Sequence, residues 1–370
     1  MKLLYRYQLK EIVVPLTVWV GFLFLLLFVM SFLRGTDVLL GSAMTAKDLG
    51  RFTLYLAPHF LQQALPIAFL LAILLGIGRL SEDGEVSAMR SLGVGPWQVL
   101  AGPLTLGSVL GAVMLGLSFT AAPWGLRSVK EAANEVIKKN LAGDVKPGVF
   151  YEDLTNLTLY AAKVNRADRG WSHVLIHDDR DPESPLLVVA QEGRVQAAGA
   201  NAELTLSLAD GHVHRANRQG LEYSVVDFER GDIIIGMGDS IFSKNRFRSP
   251  KEELSPKELL TAAAGAEHVG ESGVPFLMAF HWRLGQVLMP LAFAVMGTPL
   301  AMSRRQSGRA RGYLLTIAGY VLYYVLARVC VSLGERGKLD VLLAAQLPNV
   351  VFAALGLVAL VRVTKVGTIR

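Results

Sequence analysis

Six apolar stretches, each of about 20 residues, limit what this chain can become, because that length spans a bilayer as a helix. They fall at roughly Ile12–Leu33, Phe52–Gly78, Trp97–Ala122, Leu284–Met302, Tyr313–Leu333 and Val341–Val363. In lipid only a helix or a closed barrel satisfies its own backbone, so these are read as spans. Three precede and three follow a more polar middle. The expected fold class is therefore an α-helical integral membrane protein with six transmembrane helices (3+3) and an inserted extracytoplasmic all-β domain. The expected division is 1–123 for spans one to three, 124–270 for the insert with flanking helices, and 271–370 for spans four to six.

Charge sets the orientation. Lys2, Arg6, Lys10, Arg79, Arg90, Arg304, Arg305, Arg309, Arg311, Arg362, Lys365 and Arg370 fall on one side of the spans, against Arg34, Lys47, Arg51, Arg336 and Lys338 in the short loops of the other. The positive-inside rule puts the first set in the cytoplasm and the insert outside. The net charge of +6 is explained by this bias rather than by nucleic-acid binding, since the basic residues flank spans and form no aromatic-interleaved patch. The run after Lys10 is too long for a signal-peptide core and lacks a cleavage site, so it reads as a retained span. Pro15 is expected in its first turn, and Gly102, Gly107, Gly111 and Gly116 to let the third span pack closely.

In the middle the period becomes two. Short strands are expected at Leu157–Tyr160, His173–Ile176, Leu186–Val189, Leu204–Leu208, His212–His214 and Tyr223–Phe228. The separating turns are expected at Asp178–Pro182, Glu192–Gly193, Ala209–Gly211 and Arg218–Gly220. Such spacing implies a sandwich, barrel or roll. Ser255-Pro256-Lys257-Glu258 then opens a helix with a capping box and proline at its first position.

Between spans two and three lies Arg79–Pro96, too polar for lipid. Ser81 and Asp83 read as helix-start residues and Gly93, Gly95 and Pro96 as stops, with a helix over about 82–93. Val86, Met89 and Gly93 share one face, and Glu85 suits the start of the helix dipole. A short capped helix at the membrane surface can take a push from a soluble motor; the alternative is a structured loop joining two spans.

Motifs for chemistry are absent. No G-x-x-x-x-G-K-[ST] loop occurs, so the chain is not expected to hydrolyse ATP by that route, and no H-E-x-x-H, G-x-S-x-G or C-x-x-C occurs. No cofactor or metal is expected. His212 and His214 share a strand face without a third ligand, and His173 and His177 are discounted likewise. The single cysteine, Cys330, reads as a small buried hydrophobe. Arg328 stands alone in the fifth span, where its insertion costs roughly 2.5–3.5 kcal/mol. It is expected to face a polar cavity, a partner charge or an anionic ligand. Arg34, at an interface, either lines the same cavity or snorkels. The Arg304–Arg311 cluster reads first as a topology anchor, with a motor protein or anionic lipid as the alternative.

Arg6-Tyr7, Glu11, Leu65-Pro66-Ile67-Ala68, Gly78-Arg79-Leu80-Ser81, Glu85-Val86, Met89, Gly93, Trp282-Arg283, Pro299-Leu300, Arg305-Gln306-Ser307-Gly308-Arg309, Gly337-Lys338-Leu339-Asp340 and Leu347-Pro348-Asn349 together give the chain its likeness. It resembles the lipopolysaccharide-export permeases, the LptF/LptG family, over nearly its whole length. Two of these stretches, the arginine stretch and the Gly-Lys-Leu-Asp loop, look more like the F subunit than the G subunit; Ser307 is an extra residue in the first. The resemblance implies an ABC permease subunit that extracts lipopolysaccharide from the inner membrane and passes it to a periplasmic bridge. It implies a second, LptG-like permease, two copies of a cytoplasmic LptB-like ATPase that binds ATP and Mg, and a single-span LptC-like partner with its own periplasmic β domain. The insert would be a periplasmic β-jellyroll receiving the lipid, and spans one and five lateral gates. Glu85 matches the glutamate that docks into the ATPase, within a coupling stretch that includes Val86, Met89, Arg90 and Gly93. Arg34 matches a basic residue of the substrate cavity; Arg328 matches no family charge, and its cavity role rests on burial cost alone. The alternatives are a permease of lipoprotein release or mechanotransmission, usually with four spans, a lipid-modifying membrane enzyme, and a scaffold for the β domain.

Overall fold

All six apolar stretches are helical in the computed structural model, which describes residues 2–39, 46–143, 147–154, 157–165, 170–179, 185–198, 203–216, 223–235, 250–268, 272–302 and 308–366. The order is α1 (Lys2–Leu39), α2 (Ala46–Glu82), a short α3 (Glu85–Ser91), α4 (Pro96–Gly116), a π-helical turn (Leu117–Ala121) and α5 (Ala122–Gly143). Strands β1 (Phe150–Leu154), β2 (Leu157–Asn165), β3 (Gly170–Asp178), β4 (Leu186–Ala198), β5 (Glu203–Ala216) and β6 (Tyr223–Ile235) follow. Then come α6 (Pro250–Glu253), α7 (Pro256–His268), α8 (Val274–Met302), α9 (Gly308–Glu335) and α10 (Val341–Val366). Among the described residues six helices are long and apolar enough to cross a membrane. By contact, Met1–Ser31, Thr53–Arg127 and Lys251–Arg370 form one unit, and Phe32–Phe52 with Ser128–Pro250 a second.

The helical unit is built on α2. Of its most apolar stretch 72% is buried, against 6% for α1 and 22% for α9. Phe69, Ile73 and Ile77 of α2 meet Met114, Phe293, Tyr323 and Phe352 in one core. The Phe293, Tyr323 and Phe352 rings pack pairwise, mostly edge to face, with centroids 5.1 to 6.1 Å apart. Lipid is as apolar as these side chains, so association rests on close fit. Gly107 and Gly111 provide it: a Cβ there would lie 3.2 Å from the Pro290 carbonyl oxygen and 2.9 Å from that of Val287. Gly102 faces Gln8 at an ordinary 3.5 Å and Gly116 meets nothing within 4 Å, so only two of the four expected glycines bring backbones together. Pro15 is not in a first turn as expected; α1 begins at Lys2, and the proline lies inside it. The reason is that the foot of α1 finds packing partners and stays helical before the apolar run starts.

The strands form one antiparallel sheet in sequential order, β1 through β6, the connectivity of a meander rather than the crossed connections of a Greek-key jellyroll. One face carries Leu159, Ala161, Trp171, Val174, Ile176, Val188, Ala190, Leu206 and Leu208, all at most 4% exposed. Burial of each large member stabilises by about 2 kcal/mol.

Glu192–Gly193 and Ala209–Gly211, expected as turns, lie inside β4 and β5, and the segments expected as two strands around Asp210 are one. The pairing explains it. Ala161 pairs Val174, Val174 pairs Ala190, Ala190 pairs Gly211 and Gly211 pairs Phe228. Two residues along, Lys163, Ser172, Glu192, Ala209 and Arg230 pair in the same register. The row between them, Ala162, His173, Gln191, Asp210 and Glu229, is skipped in each of the four pairs from β2 to β6. Inward positions change phase there: Leu208 is followed by Gly211, and Trp171 by Val174. Five strands thus take the same irregularity at the same level, and the register survives while the sheet creases. His173 and Asp210 accommodate it with positive φ, 53° and 50°. Turn-forming residues are selected at a crease for the reason they are selected at a turn.

Candidate functional site

The coupling helix expected at the cytoplasmic surface is α3, and its boundaries are set by two glycines. Ser81 and Asp83 do not start it: α2 runs through Glu82, and the Asp83 amide still donates to the Arg79 carbonyl at 2.9 Å. The break is Gly84, whose φ of 76° few side chains tolerate, and the Gly84 carbonyl accepts the first bond, from Ala88, at 3.0 Å. The far end closes at Gly93, with φ 87°; its amide reaches the Arg90 carbonyl and that of Val94 the Met89 carbonyl, both at 3.0 Å. Gly95 and Pro96, expected as stops of this helix, instead open α4 as its N-cap and first residue, because proline at the first helical position loses no bond.

Val86 and Met89, 5% and 7% exposed, key α3 into the helical unit. Arg90 donates from Nη2 to the Val363 carbonyl of α10 at 3.1 Å. Glu85 is half-buried in the first turn of α3, where Tyr7 of α1 donates its hydroxyl proton to Oε1 at 3.1 Å. Gln8 makes a weak contact to the Met89 sulfur at 3.8 Å. Glu11 pairs with Arg79 at 3.2 Å. The α1 partners are missed by sequence reasoning, since nothing local links residue 7 to residue 85. Leu92, at the C-terminal end of α3, is 84% exposed.

Arg34 lies in α1, but its side chain is outside the described residues, as are those of Arg304, Arg305, Arg309 and Arg311. Arg328 sits on an outward face of α9 among exposed Val321, Leu322, Val325 and Val329. Its Nε donates to the Tyr324 hydroxyl at 2.8 Å, and its guanidinium carbon lies 5.0 Å from that ring's centroid. Tyr324 is one turn nearer the helix N-terminus, so the side chain is held back along α9, away from the nearer helix end at Glu335. It therefore does not snorkel toward that end. The cavity expected for it is not enclosed by this chain's own described residues.

A polar cluster inside the spans has no clear sequence signal. Gln62 donates to Gln286 at 2.6 Å and to Ser118 at 3.1 Å, and Ser118 is buried in the π-helical turn. Beside it, Asn349 takes the Tyr323 hydroxyl at 2.9 Å and donates to the Gly285 carbonyl at 2.9 Å. Hydrogen bonds of this kind hold helices together in lipid. On the sheet, His212 meets Asp227 at 2.5 Å and His214 meets Tyr223 at 2.6 Å. Among the described residues no group of three His, Cys, Asp or Glu is placed to hold a metal.

Comparison with known proteins adds what geometry alone does not. The family described as lipopolysaccharide export system permease LptF/LptG matches residues 6–362. The lipopolysaccharide export system permease protein LptF of Escherichia coli (strain K12) is 22% identical over 364 residues, covering 95% of this chain and 93% of that protein. The protein of the same name from Shigella flexneri matches equally, at 22% over the same span.

Proposed function

This chain belongs to the lipopolysaccharide export permease family LptF/LptG, and on that premise we propose that it is the F-type permease subunit of an ABC transporter that lifts lipopolysaccharide out of the inner membrane. The family is one of transporter components, so the chain is not an enzyme, and its six spans set it apart from the four-span permeases of lipoprotein release and mechanotransmission. The match over nearly the whole chain is the observation that carries the reading.

In this proposal the fuel is burned elsewhere. Two copies of a cytoplasmic LptB-like ATPase bind ATP and Mg, and one docks on α3 through Glu85, with Val86, Met89, Arg90 and Gly93 holding the helix in shape. A second, LptG-like permease closes the substrate cavity, and a single-span LptC-like partner contributes a further periplasmic β domain. Lipopolysaccharide enters laterally past α1 and α9, the two spans least packed on their own chain. Arg328 meets its phosphates, because a guanidinium held on an apolar face needs an anion in place of water, and Arg34 is a second candidate by its match to a basic residue of the family's substrate cavity. ATP-driven motion of α3 collapses the cavity and expels the lipid into the β domain. That domain lies in the periplasm by the charge asymmetry of the loops. Its sheet has free edges at β1 and β6 among the described residues, which suits strand addition by a neighbouring β domain.

Co-expression with the second permease and the ATPase tests this. The three are expected to purify together and, in proteoliposomes loaded with lipopolysaccharide, to release it only with ATP. Release or modification of the lipid at full rate by this chain alone would overturn the proposal.

A further inference from the structure

The foot of α1 and its outer half are held in different ways. At the foot directional and backbone-tight contacts tie α1 to three other helices. Tyr5 meets Thr105 of α4 at 2.5 Å, Tyr7 bonds Glu85 of α3, Gln8 touches Met89 of α3, and Glu11 pairs with Arg79 of α2. Gly76 of α2 lies so close that a Cβ there would be 2.5 Å from the Glu11 carbonyl oxygen. Ile12, just above, is fully buried. Further along, Val14, Val18, Phe22, Leu25 and Val29 are 44 to 63% exposed. What contact remains is non-directional: Leu16, Val20 and Leu23 pack on the core, Phe24 and Phe28 lie 6.3 Å from Phe60, and Trp19 lies 5.5 Å from Tyr313. Ring edges slide at small cost, whereas hydrogen bonds and touching backbones do not.

A rod gripped at one end and loose along the rest moves with whatever grips it. Two of the gripping side chains, Glu85 and Met89, belong to α3, so a displacement of α3 reaches α1 without passing through the rest of the helical unit. We infer that α1 is a lever worked directly by α3, and that Tyr7 is the positioning residue of that joint. Its hydroxyl proton holds Oε1 of Glu85 and leaves Oε2 for a cation of the docked ATPase, so one carboxylate ties motor and first span together. This inference rests on the docking role proposed above for Glu85.

The test uses the full complex in nanodiscs carrying lipopolysaccharide, on a Cys330→Ala background. Spin labels at Val29 and Leu288, both exposed, report the distance from outer α1 to α8 with and without vanadate-trapped nucleotide. The parent complex is expected to change that distance. Tyr7→Phe, which keeps the ring and removes the hydroxyl, is expected to abolish the change. It should also lower lipid released per ATP hydrolysed roughly tenfold, the scale of one hydrogen bond to a charged group. An unaltered distance change, or a proportionate fall of hydrolysis and release that leaves their ratio intact, overturns the lever. If Tyr7→Phe fails to assemble, Arg79→Gln loosens the same foot through Glu11 and is held to the same two readouts. A parent complex that hydrolyses ATP and moves no lipid would instead sink the transporter reading itself.

Discussion

Asp210 shows how one residue is misread when its neighbours in space are unknown. Ala-Asp-Gly has the composition of a turn, and the same left-handed tendency is used instead in mid-strand, at φ 50°. The adjoining Gly211 is needed for space, since a Cβ would lie 2.5 Å from both Phe228 Cζ and the Val189 carbonyl oxygen. Asp210→Gly is expected to be near neutral. Asp210→Val, which resists positive φ, should destabilise β5 by about 1–2 kcal/mol, read as faster amide exchange confined to β4–β6 in the full chain. Arg328 makes a second prediction at this scale. Arg328→Leu removes a charge that costs roughly 2.5–3.5 kcal/mol on an apolar face, so the variant should be at least as heat-stable in detergent. Photocrosslinking of lipopolysaccharide to α9 in the assembled complex should nonetheless fall. Undiminished crosslinking would remove Arg328 from the proposed cavity.

Among the elements, the entry of α7 was legible in detail. The capping box forms as its sequence suggests: Glu258 Oε2 accepts from the Ser255 amide at 2.7 Å, and Ser255 Oγ accepts from the Glu258 amide at 3.4 Å. What the local sequence does not reveal is the pair of arginines that grip this junction. Arg127 donates to the Glu253 carbonyl and forms an ion pair with Glu258. Arg283 of α8, only 6% exposed, donates to the carbonyls of Lys251, Glu252 and Leu254. Arg283→Met would strand those carbonyls and is expected to cost about 3 kcal/mol, measured as a fall in melting temperature. The Ser255 amide first, then Arg127, pull the Glu258 carboxyl down to about 2 from its ordinary 4.5. A lowered value means the ionised cap stabilises the fold above about pH 4.5 and that this is lost as pH falls through about 2. Protection of the α7 amides should decline across that window, and Glu258→Gln should lower it at neutral pH and flatten the decline.

At the scale of the molecule, six spans around a β insert could be read from the chain because bilayer thickness dictates the length of an apolar run, wherever its partners are. The helix α3 was legible for a similar reason: a polar segment between two spans must leave the apolar layer, and Gly93 ends a helix by its own backbone chemistry. The choice of Gly84 over Ser81 and Asp83 as its start was not, because α2 keeps its helical bonds past both capping residues. Nor were the joints that matter most for the proposed function. Tyr7 with Glu85, Gln62 with Gln286 and Arg283 with the end of α6 join residues far apart in sequence, and no periodicity records such a meeting. The crease is the clearest case, since a phase change in one strand is costly unless every neighbour makes the same change at the same level. Length, hydropathy and capping chemistry are properties of consecutive residues, and they determined which segments are helices, which are strands and which can cross a membrane. Which helix is gripped and which is loose, and where the sheet bends, depends on surfaces that meet only after the chain has folded, and the tertiary structure alone decided them.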